Sequence, residues 1–118
     1  MNKVQMLSYP GCSSCKKALR WLKERGIEVA QRPIVDQPPT PEELARWVPA
    51  SGRSVRRWLN TGGQSYRALG KARFDAATDE EITRWLTEDG KLVKRPVLLV
   101  GNKVMVGFRE DHYAELFR

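Results

Sequence analysis

The sequence of 118 residues contains one histidine and two cysteines, and no apolar run approaches the length that crosses a bilayer. A structural zinc site needs four ligands, whereas the two cysteines and His112 supply only three, so we do not expect a metal site. The first residues lack the long apolar core of a signal peptide. The expectation is therefore a single cytoplasmic domain that does not contact membranes.

Acidic residues are missing from one stretch, Arg46 to Phe74, in a chain whose formal net charge is +7. The basic residues of this stretch are Arg46, Arg53, Arg56, Arg57, Arg67, Lys71 and Arg73. Such a face attracts anionic glutathione, an acidic protein surface or nucleic acid, and a merely solvated basic face explains it equally well. No helix-turn-helix, zinc-finger or RNA-binding signature accompanies it, so sequence-specific DNA binding is not expected.

The two cysteines, Cys12 and Cys15, lie in the segment Tyr9 to Lys17, between a predicted strand and a predicted helix. Their spacing places the thiols one turn apart on one helix face, near enough to close a disulfide. The first residues of a helix leave backbone N–H groups unpaired, which stabilises a thiolate at Cys12, whereas Cys15 should be more buried. We interpret Cys12 as the nucleophile and Cys15 as the resolving thiol, and the alternative is a pair of inert core residues.

The hydrophobic pattern predicts an α/β fold of order β-α-β, helical block, β-β-α. The predicted strands are residues 3–8, 27–34, 97–100 and 104–106, and the helices that pack on them are residues 14–25 and 110–117. The inserted helical block is residues 40–88, in which Thr40 and Thr78 each begin a helix with a capping box. This order places the cysteine turn at the carboxyl end of a strand, where α/β sheets usually bind ligands.

Several motifs in the right order resemble those of the ArsC/Spx family. They are Pro10 to Cys15, Lys94 to Leu98, Val106 to Phe108 and, for the middle motif, Asn60 to Leu69. The resemblance covers essentially the whole chain. It implies a thioredoxin-like fold that carries a helical insertion.

The resemblance also implies roles for individual residues. Cys12 matches the reactive cysteine, Cys15 the second cysteine of Spx-type redox pairs, and Arg95 the arginine beside the active cysteine. Arg95 would stabilise a thiolate or a bound anion, unless it is only a solvated charge at the end of a strand. Pro96 resembles the cis-proline of thioredoxin-like folds. The candidate substrate-binding residues are Tyr9, Gly11, Ser13, Pro96 and Arg109.

Three functions are represented in this family. Arsenate reductases linked to glutaredoxin use one cysteine and several arginines, one of them in the middle motif, but Asn60 to Gly63 contains no arginine, so specific arsenate reduction is the least expected. Spx-type regulators bind the C-terminal domain of the RNA polymerase α-subunit and use Cys-x-x-Cys as a switch. The candidate partner surface is Gly52, Arg53, Arg56 and Arg57. Gly52 lies in the region of the glycine that Spx uses, although a break between helices explains it equally.

The function that we expect first is a small thiol-disulfide oxidoreductase that acts through a Cys12–Cys15 redox pair. It needs no bound cofactor, and glutathione, thioredoxin or glutaredoxin would restore the dithiol. The alternative is a redox-sensing regulator that binds the polymerase α-subunit. Both functions use the same chemistry on the same fold.

Overall fold

The computed structural model describes residues 4–117, and Lys3, the first residue of the first predicted strand, lies outside them. The chain divides into two compact units. One unit joins the chain up to Pro33 to the segment from Arg95 onward, and the other spans Ile34–Lys94. The second unit is therefore wider at both ends than the predicted insertion, 40–88. Within the described part, no helix combines the length and the apolar character needed to cross a membrane.

The strands and helices confirm the predicted α/β fold and its order. In chain order they are β1 (Val4–Ser8), α1 (Ser13–Glu24), β2 (Ala30–Pro33), α2 (Pro41–Ser51), α3 (Gln64–Leu69), α4 (Lys71–Asp75), α5 (Asp79–Glu88), β3 (Val97–Val100), β4 (Lys103–Val106) and α6 (Glu110–Leu116). Short 3₁₀ helices occupy Val55–Trp58 and Gly90–Leu92.

The first unit contains a four-stranded sheet of order β2-β1-β3-β4, in which β2 is parallel to β1 and the other neighbours are antiparallel. Strand β1 is central, and Met6 and Leu7 are fully buried because both faces of the strand are covered. Helix α1 buries the residues that recur at helical spacing, including Ala18 and Leu22, in a cluster with Tyr113 of α6. Sheet and helices thus hold the end of β1 and the start of α1 in place.

The second unit is helical, and both predicted capping boxes are confirmed. The Thr40 hydroxyl accepts a hydrogen bond from the N–H of Glu43 at 3.1 Å, while the Glu43 carboxylate accepts one from the N–H of Thr40 at 2.9 Å. Thr78 and Glu81 repeat this arrangement at the start of α5, at 3.1 Å and 2.9 Å. These reciprocal bonds satisfy N–H groups that the first helical turn leaves unpaired.

Several predicted boundaries are wrong. The second strand covers Ala30–Pro33 instead of 27–34, because Ile27 and Val29 pack against the core before the strand pairs. Strand β4 begins at Lys103, one residue before the predicted strand 104–106. The prediction missed α4, which begins after Gly70 at φ 92°, a backbone angle that favours glycine. It also missed the 3₁₀ turn that begins at Gly90.

Candidate active site

The cysteine turn connects β1 to α1, and Cys12 is the N-cap residue of the helix. The backbone N–H of Cys12 donates to the carbonyl of Tyr9 at 3.1 Å, which closes the turn. The Cys12 sulfur accepts a hydrogen bond from the N–H of Cys15 at 3.2 Å. The side chain is half-buried, so the sulfur occupies the place of a capping oxygen while remaining reachable. The predicted placement of Cys12 at the helix start is confirmed.

Cys15 lies one turn further along α1 and is 1% exposed. Both cysteines are free thiols. Burial raises the pKa of Cys15 to about 12, and the neighbouring Cys12 contributes to this rise through a hydrogen bond and through its charge. A backbone hydrogen bond from the Tyr9 segment and the positive charge of Arg95 act in the opposite direction. The two thiols therefore differ strongly in accessibility, as predicted.

Arg95 precedes β3 and is half-buried beside the cysteine turn. Its guanidinium carbon lies 4.8 Å from the centroid of the Tyr9 ring, a cation–π distance. The positive charge of Arg95 lowers the pKa of Cys15, against the larger raising effects of burial and of Cys12. The Arg95–Pro96 peptide bond is cis, and the carbonyl of buried Pro96 accepts the N–H of Gly107 at 2.8 Å.

The other predicted substrate-binding residues differ in position. A Cβ at exposed Gly11 would approach the Tyr9 ring edge to 3.0 Å, so the ring packs closely over the turn. Ser13 is the exposed first residue of α1. Arg109 is the N-cap residue of α6, and its exposed guanidinium forms an ion pair with Asp111 at 3.5 Å. Tyr9, Gly11 and Ser13 thus belong to the cysteine turn, whereas Arg109 belongs to the start of the last helix.

A cavity of about 270 Å³ adjoins the cysteine turn. It is lined by Ser8, Tyr9, Pro10, Cys15, Lys16, Leu19, Gln31 and Pro33. Gln31 and Pro33, which lie in β2, were not among the predicted site residues. The predicted β-α-β order could have identified both residues, because β1 and β2 are parallel and the carboxyl ends of parallel strands meet at one edge of a sheet. Within residues 4–117, no three His, Cys, Asp or Glu side chains form a group that could hold a metal ion.

The candidate partner surface lies in the second unit and comprises Gly52, Arg53, Arg56 and Arg57. Gly52 is the exposed C-cap residue of α2 at φ 70°, and a Cβ added there would meet no described atom within 4 Å. Arg56 donates to the carbonyls of Phe74 at 2.9 Å and of Ala77, and pairs with Asp79 at 3.5 Å. Arg56 therefore links parts of the helical unit. Gly52, Arg56 and Arg57 are exposed, whereas Arg53 is half-buried.

Comparison with known proteins gives consistent matches along the whole chain. The model of the ArsC family matches residues 7–116. YusI of Bacillus subtilis (strain 168) is 41% identical over 108 residues, covering 91% of this chain and 92% of YusI. Regulatory protein MgsR of the same strain is 31% identical over 114 residues, covering 97% of this chain and 90% of MgsR. The crystal structure of a putative ArsC family related protein from Bacteroides fragilis is 43% identical, with a TM-score of 0.91 and 97% of each chain covered.

Proposed function

The chain belongs to the ArsC family, and from that premise we propose that it is a small thiol-disulfide oxidoreductase with Cys12 and Cys15 as its redox pair. The observation that carries the proposal is the asymmetry of the two thiols. Cys12 caps a helix, accepts a backbone N–H and is partly exposed, whereas Cys15 is 1% exposed and its pKa is raised. An exposed attacking thiol backed by a buried second thiol is the arrangement that two-step disulfide exchange needs.

The reaction proceeds in two exchanges. The Cys12 thiolate attacks one sulfur of a substrate disulfide, forms a mixed disulfide and expels the other substrate thiolate, which takes a proton from water. Cys15 then loses its proton, attacks the Cys12 sulfur and expels the second substrate thiolate. The substrate gains two electrons and two protons, and the protein is left with a Cys12–Cys15 disulfide.

The electrostatics of the pair support this order of events. Cys12 raises the pKa of Cys15 through a hydrogen bond and through its charge. When Cys12 enters a mixed disulfide, its charge is removed and its hydrogen bond changes, so the pKa of Cys15 falls. The positive charge of Arg95 remains and favours the Cys15 thiolate. Cys15 is thereby held inactive until Cys12 carries a substrate.

The cavity beside the pair supports a substrate class. Its wall combines apolar groups, including Leu19 and Pro33, with the cationic side chain of Lys16. A peptide-like thiol that carries a carboxylate matches this lining, because the carboxylate pairs with the ammonium group while the remainder covers apolar surface. Glutathione is such a compound, and a thioredoxin or glutaredoxin dithiol is the other candidate reductant.

Turnover of a model mixed disulfide tests the proposal. The substrate is a cysteinyl peptide joined to glutathione, and the reductant is either glutathione with glutathione reductase or thioredoxin with thioredoxin reductase, each followed by NADPH oxidation. We expect the native protein to turn over and Cys12→Ser to be inactive. The control variant is Ser54→Ala, at an exposed serine of the other unit, and it should keep a near-native rate. Retention of the native rate by Cys12→Ser would refute the assignment. Arsenate, offered as an alternative substrate, is expected to give no turnover.

A redox-sensing regulator is the second candidate, and exposed Gly52 is the observation that favours it. The relative MgsR is named a regulatory protein. The partner implied by the resemblance is the C-terminal domain of the RNA polymerase α-subunit. Disulfide formation between Cys12 and Cys15 would then switch binding, with no substrate to turn over.

A pull-down with Cys15→Ser as bait separates the two candidates. This variant retains covalent partners on Cys12, while non-covalent partners stay bound through the helical unit. Thiol proteins or glutathione recovered through a disulfide, without polymerase, support the oxidoreductase. Polymerase α-subunit recovered without a disulfide, and lost when Gly52→Arg is added to the bait, would establish the regulator instead.

A further inference from the structure

Tyr9 belongs both to the cysteine turn and to the wall of the cavity beside it. Its backbone carbonyl accepts the N–H of Cys12 at 3.1 Å, which ties the residue to the turn. Its side chain is half-buried and lines the cavity of about 270 Å³ together with Cys15 and Lys16. The orientation of the Tyr9 ring therefore sets the shape of the cavity next to the redox pair.

Two neighbours hold the Tyr9 ring in its orientation. The guanidinium carbon of Arg95 lies 4.8 Å from the ring centroid, within the range of a cation–π contact. At the ring edge, a Cβ at Gly11 would approach the Tyr9 Cε2 atom to 3.0 Å, so the missing side chain at Gly11 leaves the room that the ring occupies. A cation over the ring and a close backbone at its edge together favour one position of the ring.

Arg95 differs from Tyr9 because it does not line the cavity. Its side chain is half-buried and forms no hydrogen bond or ion pair with any residue in the described part of the chain. The contact with the Tyr9 ring is the interaction that the fold provides for its charged group. Any effect of Arg95 on the shape of the cavity must therefore pass through the Tyr9 ring.

We propose that Arg95 is a positioning residue that holds the Tyr9 ring as an aromatic wall of the cavity, and that this wall selects glutathionyl disulfides over smaller disulfides. The inference rests on the proposed oxidoreductase function. A glutathionyl group extends several bonds beyond its sulfur, so a group of this kind that fills the cavity contacts the Tyr9 ring as well as Lys16. A small neutral disulfide such as 2-hydroxyethyl disulfide has neither the length nor the charge to use these contacts. Arg95 thereby favours one substrate class through the ring that it holds.

The test measures the first exchange alone, with every variant made in a Cys15→Ser background. The Cys12 thiolate bonds to one sulfur of the disulfide, the S–S bond breaks, and the leaving thiolate takes a proton from water. Adduct formation is followed by intact mass with oxidised glutathione and with 2-hydroxyethyl disulfide. The ratio of the two rate constants cancels changes in the reactivity of Cys12 itself. We expect Tyr9→Leu to lower this ratio about fivefold or more, and Tyr9→Phe to keep it, because phenylalanine retains the ring.

A double variant separates this positioning role from direct attraction of anionic glutathione by Arg95. Arg95→Met should lower the ratio about threefold or more, because the ring loses its cation–π partner. Adding Arg95→Met to Tyr9→Leu should lower the ratio no further than Tyr9→Leu alone, since the wall is already lost. Arg84→Met removes an exposed arginine of α5 in the other unit, so it is the matched control for net charge and should keep the ratio.

The outcomes distinguish the role of Arg95 from the proposed function. A ratio that either single variant, Tyr9→Leu or Arg95→Met, leaves unchanged would overturn the proposal. Losses that multiply in the double variant would overturn it as well, because Arg95 would then act on glutathione without the ring. If Cys12 forms no adduct with either disulfide, the oxidoreductase function itself fails.

Discussion

The first alkylation of the reduced native protein should occur almost entirely at Cys12. The thiolate is the reacting species, and burial raises the pKa of Cys15 to about 12. At pH 8 a thiol with a pKa of about 12 is about 0.01% ionised, about a thousandfold less than Cys15 would be at its usual pKa of 9.0. The 1% exposure of Cys15 slows its reaction further, while Cys12 is partly open to solvent.

The assay uses limiting iodoacetamide at pH 8, isolation of the singly alkylated protein, and fragment mass spectrometry to locate the modified cysteine. Fewer than about one molecule in a hundred should carry the label on Cys15, given the loss of thiolate and the burial. In guanidinium chloride the two cysteines should react equally, because the environment that distinguishes them is gone. Comparable labelling of Cys12 and Cys15 in the native protein would refute the reasoning.

Three further predictions concern stability, each measured by chemical denaturation. Gly90→Ala should lower the free energy of unfolding by about several kcal/mol, because the added Cβ would lie 2.0 Å from a backbone carbonyl oxygen. Gly62→Ala, which has open space around it, should leave the free energy of unfolding nearly unchanged. Equal losses in the two variants would contradict the close packing at Gly90. Thr78→Ala should lower the free energy of unfolding by about 1 kcal/mol, because the capping box at the start of α5 is lost. An unchanged free energy of unfolding would contradict the stabilising role of this capping box. Burial raises the pKa of Cys15 and of Tyr113, so the protonated forms of both groups are favoured in the folded protein. The free energy of unfolding should fall from about pH 9 to about pH 12 because of Cys15, and above about pH 10 because of Tyr113 as well, by up to ~1.4 kcal/mol per pH unit for each group. A free energy of unfolding that does not change over this pH range would contradict the burial of both groups.

Local signals in the sequence were sufficient for much of the fold. Thr40 and Thr78 are each followed three residues later by glutamate, and both capping boxes form because they depend on a single helical turn. The placement of Cys12 and Cys15 at the start of α1 follows from the same local logic of strand, turn and helix. The apolar runs of β3 and β4, separated by a short turn, likewise predicted the hairpin.

The features that were missed depend on residues distant in the sequence. Gly90 is required because its backbone packs against the carbonyl of Ile34, which no local pattern reveals. The contact of Arg95 with the Tyr9 ring is formed by segments far apart in the chain. The unpaired hydroxyl of Tyr113 was not predicted either, because the sequence pattern predicts the last helix, 110–117, but not whether a side-chain hydroxyl on it finds a partner in the described part of the fold.

The most direct test of the assigned roles is the intact mass of three proteins after reaction with oxidised glutathione. Cys15→Ser should accumulate one glutathione, held on Cys12, because the resolving thiol is absent. Cys12→Ser should remain unmodified, since Cys15 is 1% exposed, and the native protein should end as an intramolecular disulfide without glutathione. A glutathione adduct on Cys12→Ser, or its retention on the native protein, would contradict the assignment of Cys12 as nucleophile and Cys15 as resolving thiol.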